Sequence, residues 1–469
     1  MKRIDEKLIF VVSIVVLLII RLFLNAYIPL MDKTEARYGE IARIMAETGN
    51  WITPQIDYGV PFWAKPPLST WLSALSIKLL GVSEFALRLP AFLLSVGLVA
   101  VLKGFVKNKF HFLLVAFIIL TIPEFLLHAG VVSTDTALAF CVTMIFLSFW
   151  KFIQEGQKAY WKYLIFVFVG IGILAKGPIV IILTAPPIFI WALYYRKLIE
   201  VLKKMPWVLG IIIVLIIAGP WFLLAEEKTP GFLEYFFVGE HYKRFFDSSW
   251  KGDKYGFPKQ QPIGIVWAFL LAFAFPWIEI LIAKLWKRKR QLFPDKWVIF
   301  LLLWLLWTPF FFTFSKSLIH TYILPVMVPI ALLIVHYWDS YSNKKILIIL
   351  GLIFPVLIIG ATGYALIGSN IETISKTDKY ILQQRDKSIA DLYFLDGKTY
   401  SSQFYSAGKI KEISEEKALD QMALKQPFEI IMEKKYLKDR DKNLLDNLRP
   451  VAENRDNILY RFNPNESQN

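Results

Sequence analysis

Residues 8–30 read LIFVVSIVVLLIIRLFLNAYIPL and residues 31–85 read MDKTEARYGEIARIMAETGNWITPQIDYGVPFWAKPPLSTWLSALSIKLLGVSEF. The first stretch is long and apolar enough to cross a bilayer, with Arg21 as its one charge. The second separates it from the next apolar run and is dense in charges and aromatic rings. A connection between spans need not be so long or so charged. Charges held at a bilayer surface are costly to keep dry, and they mark sites.

Outward from this pair, the whole chain reads the same way. Of its 469 residues 56% are hydrophobic, and the mean hydropathy is +0.48, more apolar than soluble domains of this size. Aromatics make up 16%, with 16 Trp, as interfacial belts require. The net charge of +15 is explained by loops facing an anionic leaflet, so a nucleic-acid partner is not expected. The single cysteine, Cys141, excludes a disulfide or a cysteine-based metal site within the chain. The first apolar segment lacks a small-residue cleavage site and reads as a retained span.

Apolar runs predict about eleven transmembrane helices, at roughly 8–30, 86–105, 111–128, 133–153, 161–176, 178–196, 206–225, 263–285, 297–314, 318–338 and 345–367. Breaks at Gly130 and at Lys176–Pro178 read as tight turns or re-entrant points. One set of connections carries Lys2, Arg3 and Lys7, Lys103 to Lys109, Lys151 to Lys162, Arg196 to Lys204, the run Lys287–Arg290, and Lys344 with Lys345. The opposite short turns carry only Lys176 and Lys316. Positive charge marks the cytoplasmic side. The N-terminus is therefore expected inside, with loops 31–85 and 226–262 facing outward. Residues 369–469 turn polar, with short apolar stretches at Ala390–Leu395 and Phe428–Met432, and read as a small soluble α/β domain outside the membrane domain of residues 1–368.

Four outward elements carry candidate chemistry. Glu35–Thr48 suits an amphipathic helix on the membrane surface, with Arg37, Glu40 and Ile44 as neighbours. Its bland alternative is a solvated interfacial helix. Lys65 stands at a corner fixed by Pro66 and Pro67, beside Phe62 and Trp63. It is either a phosphate contact or a snorkelling lysine. Asp135 opens a span and can serve as an N-terminal carboxylate. Glu240, His241 and Arg244 offer a metal-ligand pair and an anion clamp, or a local Glu240–Arg244 ion pair. Lys176 and Lys316, with Tyr322, add to the same face. Together they suggest a site for an anionic headgroup bordered by carboxylates.

Three motifs, Thr34-Glu35-Ala36-Arg37-Tyr38-Gly39-Glu40-Ile41-Ala42, Gly49-Asn50-Trp51-Ile52-Thr53-Pro54 and Lys65-Pro66-Pro67, resemble the first periplasmic loop of the lipid A aminoarabinose transferases. These belong with the protein O-mannosyltransferases in the GT-C class of membrane glycosyltransferases. The resemblance continues through Asp135, Lys176-Gly177, Glu240-His241 with Arg244-Phe245, and Thr321-Tyr322-Ile323-Leu324, over about the first 340 residues. It implies a polytopic α-helical GT-C enzyme of the bacterial inner membrane that moves a sugar from a polyprenyl-phosphate donor to a lipid or glycan acceptor. It implies donor-phosphate contacts from Arg37, Lys65 and Arg244, with Tyr38 in the same motif. It implies a first-loop carboxylate that activates the acceptor, support from Asp135, and a divalent metal at Glu240 and His241. The chain departs from the pattern twice. Thr34 replaces the usual Asp, leaving Asp32 as the preferred substitute and Glu35 as the second. Ala64 replaces the Glu before Lys-Pro, which weakens the metal site.

In the expected chemistry, leaving of the donor phosphate builds negative charge that preorganised cations stabilise. Direct displacement inverts the anomeric centre. The sequence has no Gly-rich phosphate loop, so no nucleotide cofactor is expected. A lipid or solute transporter, or a flippase, would use the same spans and basic patches without making a bond. A surface-glycan polymerase or ligase would share the lipid donor.

Overall fold

The computed structural model describes residues 6–244, 252–255, 261–288, 295–315, 317–367 and 375–464. Lys2, Arg3, Phe245, Lys289, Arg290 and Lys316, which belong to the stretches read from the sequence, lie outside the described residues. All eleven expected membrane segments contain helix, but 111–128 and 263–285 each fall into two helices, and 318–338 opens with a 3-10 segment. Helix α1 (Glu6–Tyr27) opens the chain. The long connection holds α2 (Thr34–Thr48), a hairpin of β1 (Gln55–Asp57) and β2 (Val60–Pro61), and α3 (Leu68–Leu80). Then follow α4 (Glu84–Val101), α5 (Lys109–Thr121), α6 (Pro123–His128), α7 (Asp135–Phe152), α8 (Tyr160–Lys176), α9 (Ile179–Tyr194), α10 (Leu198–Lys204) and α11 (Trp207–Lys228). A π-helical turn at Glu234–Lys243 leads on to α12 (Ile265–Phe273), α13 (Trp277–Arg288) and α14 (Lys296–Phe312). A 3-10 segment at His320–Val326 runs into α15 (Met327–His336), and α16 (Lys344–Ile367) is the last apolar helix.

By length and composition, five described helices can each cross a membrane alone, and the α12–α13 pair, bent by 103°, makes a sixth candidate. Pro276 lies in that bend, and Pro123 separates α5 from α6, because proline cannot supply the helical N–H at either break. The apolar core runs along α5, α7, α14 and α15. Phe146 stacks on Trp304 at 4.4 Å between centroids, and Trp191, Phe149 and Phe300 close the layer.

Both glycine breaks that the sequence singled out are tight turns. Gly130 has φ +156°, and a Cβ there would lie 2.1 Å from Asn25 Oδ1. Gly177 has φ +83°, and its Cβ would meet Phe236 and His241 within 3 Å. Only glycine combines that backbone with such close neighbours. The turn between α6 and α7 is thereby seated on α1, and the turn between α8 and α9 on the π-helical turn.

In the polar C-terminal stretch, α17 (Lys379–Gln383) precedes β3 (Leu392–Leu395), α18 (Tyr400–Tyr405), β4 (Lys411–Ile413), α19 (Glu415–Ala423), β5 (Phe428–Glu433), β6 (Arg449–Glu453) and β7 (Asn457–Phe462). The strands form one sheet in the order β4-β3-β5-β7-β6. The β4–β3 and β3–β5 pairs are parallel, each reached through a helix, and the other two pairs are antiparallel. Both apolar stretches singled out in the tail, Ala390–Leu395 and Phe428–Met432, carry strands.

This sheet unit is seated on the α2–α3 connection. Leu30 N–H donates to Tyr405 Oη at 2.8 Å, Lys379 pairs with Glu84 at 2.6 Å, and Lys398 pairs with Asp57 at 2.6 Å. Phe404 enters the apolar cluster that holds Ile41, Met45 and Ile77. Helix α2 is therefore buried between α3, the hairpin and α18, not laid on a lipid surface as its amphipathic pattern predicts. A covering element can sit more than three hundred residues away in sequence, where no local pattern reports it.

Arg88 on α4 ties the start of this layer to the membrane helices. Its guanidinium donates to the carbonyls of Asn25, Ile28 and Pro29 and to both oxygens of Glu35, at 2.7 and 2.8 Å. Removing one member of a buried pair strands its partner's charge, at a cost of about 3–5 kcal/mol. Arg88→Ala should accordingly lower thermal unfolding in detergent by several degrees. A melting point equal to that of the parent would contradict this anchoring role.

Candidate functional site

The site is built where the α2–α3 connection, the π-helical turn and the ends of α7 and α8 meet. Helix α2 starts after Lys33 and stops at Gly49, whose left-handed φ of +70° lets its N–H reach Met45 O. This places Arg37 and Tyr38 in its first turns. The Arg37 Nη1 donates to Tyr255 O at 2.8 Å. The rings of Tyr38, Phe62 and Tyr400 surround the guanidinium at 5.6, 5.6 and 5.9 Å. Its buried Nε has no hydrogen-bond partner among the described residues. Among the described residues no carboxylate lies within salt-bridge range of Arg37.

Lys65 projects from the proline corner that leads into α3. Its Nζ donates to Ala64 O at 2.7 Å and to Glu240 Oε2 at 3.1 Å. The Glu240 side chain is 2% exposed and also accepts from Arg244 Nη1 at 2.9 Å and from Tyr235 Oη at 3.2 Å. Burial alone would raise this carboxyl. The charges of Lys65 and Arg244, with their hydrogen bonds, outweigh burial and hold it below the usual carboxylate range. Asp253 Oδ2 lies 3.6 Å from Arg244 Nη1 and has no hydrogen-bond partner among the described residues. Lys254 stands over the Trp63 ring at 4.0 Å. The local Glu240–Arg244 pair and the anion-clamp reading thus describe one network, because Lys65 joins it from another loop.

The third group stands at the membrane helices. Asp135, first residue of α7, pairs with Lys176, last residue of α8. The Lys176 Nζ lies 4.5 Å from the Tyr322 ring centroid. Tyr38 is fully enclosed, which raises its phenol, and its hydroxyl feels the charges of Arg37, Lys176, Asp135 and Glu240. Tyr38 therefore sits where the three groups meet.

Of the residues named from sequence, the structure gathers Arg37, Tyr38, Lys65, Arg244, Glu240, Asp135, Lys176 and Tyr322. It places two carboxylates elsewhere. Glu35 is committed to Arg88 and also accepts from Val132 N–H at 3.3 Å, so it serves as an anchor and has no oxygen free to act as a base. Asp32 faces the C-terminal unit, accepting from Ser401 N–H at 3.0 Å and from the Ser401 hydroxyl. The expected metal pair does not form either. Glu240 is occupied by two cations and a phenol, while His241 Nδ1 is engaged by Phe236 O at 2.8 Å and its ring lies against Gly177. Neither residue joins a group of three potential ligands among the described residues. The residues present do not fit a metal there.

Three members escaped the sequence reading: Tyr400, Tyr255 and Lys254. Tyr400 comes from α18 and lies next to Ser401, so the Asp32–Ser401 contact fixes the ring that covers Arg37. The Lys254-Tyr255 pair, flanked by Asp253 and Gly256, gave only a weak signal.

Burial pushes the Asp32 carboxyl up to about 7, with the charge of Asp378 adding to the rise and the Ser401 hydrogen bonds opposing it. A carboxyl raised above its unfolded value holds its proton more tightly in the fold. Its contribution to stability is present in full below the unfolded value and is lost as pH rises through about 7. Asp32→Asn cannot lose that proton. Thermal unfolding should therefore show the variant gaining on the parent protein between pH 5 and pH 8, and a constant gap would exclude this titration.

Comparison with known proteins places this geometry in a family context. Residues 7–236 match the family model described as dolichyl-phosphate-mannose-protein mannosyltransferase. The undecaprenyl phosphate-alpha-4-amino-4-deoxy-L-arabinose arabinosyl transferase of Erwinia tasmaniensis is 28% identical over 319 residues, covering 66% of this chain and 55% of that protein. Its counterpart in Aeromonas hydrophila is 30% identical over 315 residues, covering 65% and 55%. The chain thus spans about half the length of the curated relatives it matches. The crystal structure of ArnT from Cupriavidus metallidurans bound to undecaprenyl phosphate superposes with a TM-score of 0.76 at 18% identity, over 97% of both chains. The apo structure of the same protein gives 0.74. The chain is a multi-pass membrane protein that shares the fold of that crystal structure, and it is similar in sequence to the mannosyltransferase family model and to the aminoarabinose transferases.

Proposed function

We propose that the chain is a glycosyltransferase that moves a sugar from a polyprenyl-phosphate donor to an anionic lipid acceptor such as lipid A. The observation that carries this reading is the surplus of positive charge around Tyr38. Arg37, Lys65 and Arg244 are met by two carboxylates, Glu240 and Asp253, and Lys176 is already neutralised by Asp135. Arg37 has no carboxylate partner among the described residues. A phosphate fills that deficit, since a guanidinium can grip two oxygens at once and Lys65 acts as a point charge. The relatives that the chain matches are named for an undecaprenyl-phosphate-linked sugar, which agrees with this chemistry.

The reaction follows from those positions. As the bond from the sugar carbon to the donor phosphate breaks, charge grows on the phosphate oxygens, and Arg37, Lys65 and Arg244 stabilise it. Attack from the opposite side inverts the anomeric centre. With Glu35 tied to Arg88 and Asp32 tied to Ser401, a nucleophile that is already anionic, such as a lipid phosphate, needs no base from either. Asp135 stays beside Lys176 and keeps that ammonium in place. The donor carries its own leaving group, so no nucleotide enters.

The setting is proposed as the bacterial inner membrane. Lysine and arginine crowd the connections opposite the site, so the N-terminus is read as cytoplasmic and the site as periplasmic. Residues 1–368 then form the membrane domain, and residues 369–469 form a periplasmic unit seated over loop 31–85.

Arg37→Ala and Lys65→Ala should each lower transfer from a radiolabelled polyprenyl-phosphate sugar by about 100-fold or more; purified Arg37→Ala should melt like the parent, whereas Lys65→Ala, which takes a partner from the buried Glu240, should melt lower. Transfer at the parental rate in both variants would refute the phosphate clamp.

A further inference from the structure

A second cluster of titratable side chains lies beside the site and takes no part in the chemistry above. Glu124 and His128 stand one turn apart on α6, so they share a helix face. His320 opens the 3-10 segment and reaches the same point from 196 residues away. His320 Nδ1 is 3.2 Å and His128 Nδ1 3.1 Å from the same oxygen, Glu124 Oε1; His128 Nδ1 also lies 3.0 Å from the Glu124 backbone O, a contact an ion would have to replace. One ligand atom from each of the three residues lies within 4.8 Å of the others, and they form the one such group of three among the described residues.

Glu124 is 0% exposed, and among the described residues no lysine or arginine pairs with it. Buried carboxylates are paired with a cation or coordinate a metal. Two imidazoles and one carboxylate are the donor set of His₂Glu zinc sites, which leave a fourth position open. Bonds of about 2.0–2.1 Å to a tetrahedral ion put its ligand atoms about 3.3 Å apart, close to the two Glu–His separations here. The ring of His320 is stacked on Phe273 at 4.5 Å, which fixes its plane. Its side chain is 38% exposed, which gives an ion a way in.

We propose that Glu124, His128 and His320 bind a divalent transition-metal ion of the zinc class, and that this site positions the Asp135–Lys176–Tyr322 group. The connection is short. Thr136, next to Asp135, donates to His128 O at 3.2 Å. Thr321 and Tyr322 follow His320 directly, and Tyr322 lies under Lys176. An ion held by these three residues joins α6 to the 3-10 segment and fixes both walls around Asp135. The metal binding is independent of the transferase reading, and its bearing on Asp135 rests on that reading.

The test uses full-length, tag-free protein stripped with a chelator and titrated with Zn²⁺ or Co²⁺ alone. Metal analysis should find one equivalent in the parent, and the Co²⁺ form should show visible absorption bands that change on loss of an imidazole. His320→Asn, at a partly exposed position, and Glu124→Gln should bind at least about tenfold more weakly, while His241→Asn still holds one equivalent. Failure of the parent to retain stoichiometric metal, undiminished binding in His320→Asn, or loss of binding in His241→Asn would each overturn the assignment. Sugar transfer measured on the same samples separates this outcome from failure of the proposed function, since metal can be absent while transfer persists.

Discussion

The fold around the site depends on one buried carboxylate shared by two cations. Glu240 takes Lys65 from the first long connection and Arg244 from its own turn. Either ion pair alone, at a protein surface, would contribute little. Buried, the arrangement works differently, because removing any member leaves a charge without compensation. The two loops are thereby obliged to stay together, and the aromatic rings of Trp63, Tyr235 and Tyr255 pack into the angle between them. Asp253, 3.6 Å from Arg244, adds a second carboxylate to this network, so the surplus of positive charge at the site lies with Arg37.

The π-helical turn that carries Glu240 depends in its own way on a glycine far from it in sequence. Gly177 lets the α8–α9 turn approach His241 and Phe236 within 3 Å of where a Cβ would stand. Lys176, the residue before, can then meet Asp135 while the turn lies alongside. Loop geometry, ion pairing and membrane helix ends are thus one packed unit. The second support is the C-terminal sheet unit, which reaches the site through Tyr400 and is latched by the Asp32–Ser401 contact.

Much of this was legible in the sequence, for physical reasons that differ by element. The apolar helices announce themselves through long hydrophobic runs, Lys65 through a proline corner beside two rings, Arg37 through an amphipathic pattern, and Arg244 through its spacing from Glu240. Helix α3 and the β1–β2 hairpin were not foreseen, because both are short and buried by their surroundings more than by their own pattern. The roles of Glu35 and Asp32 were misread because their partners, Arg88 and Ser401, are 53 and 369 residues away. No periodicity carries such a distance. The Glu124–His128–His320 cluster escaped for the same reason, since two of its members look like ordinary residues of an apolar segment until His320 arrives.

The surroundings of Arg37 decide how the cations divide their work. Three aromatic faces near 6 Å stabilise a guanidinium modestly, and less than a carboxylate in contact would. They also exclude water, so that a hydrogen bond offered there to an incoming anion is stronger than one in solvent. Lys65 and Arg244 must instead share Glu240 with any phosphate that enters. Donor binding is therefore expected to loosen the Lys65–Glu240–Arg244 network while leaving the Arg37 box intact. In the proposed reaction Arg37 would be the fixed point of recognition, and the loop-bridging pair would be the part that adjusts as charge moves onto the leaving phosphate.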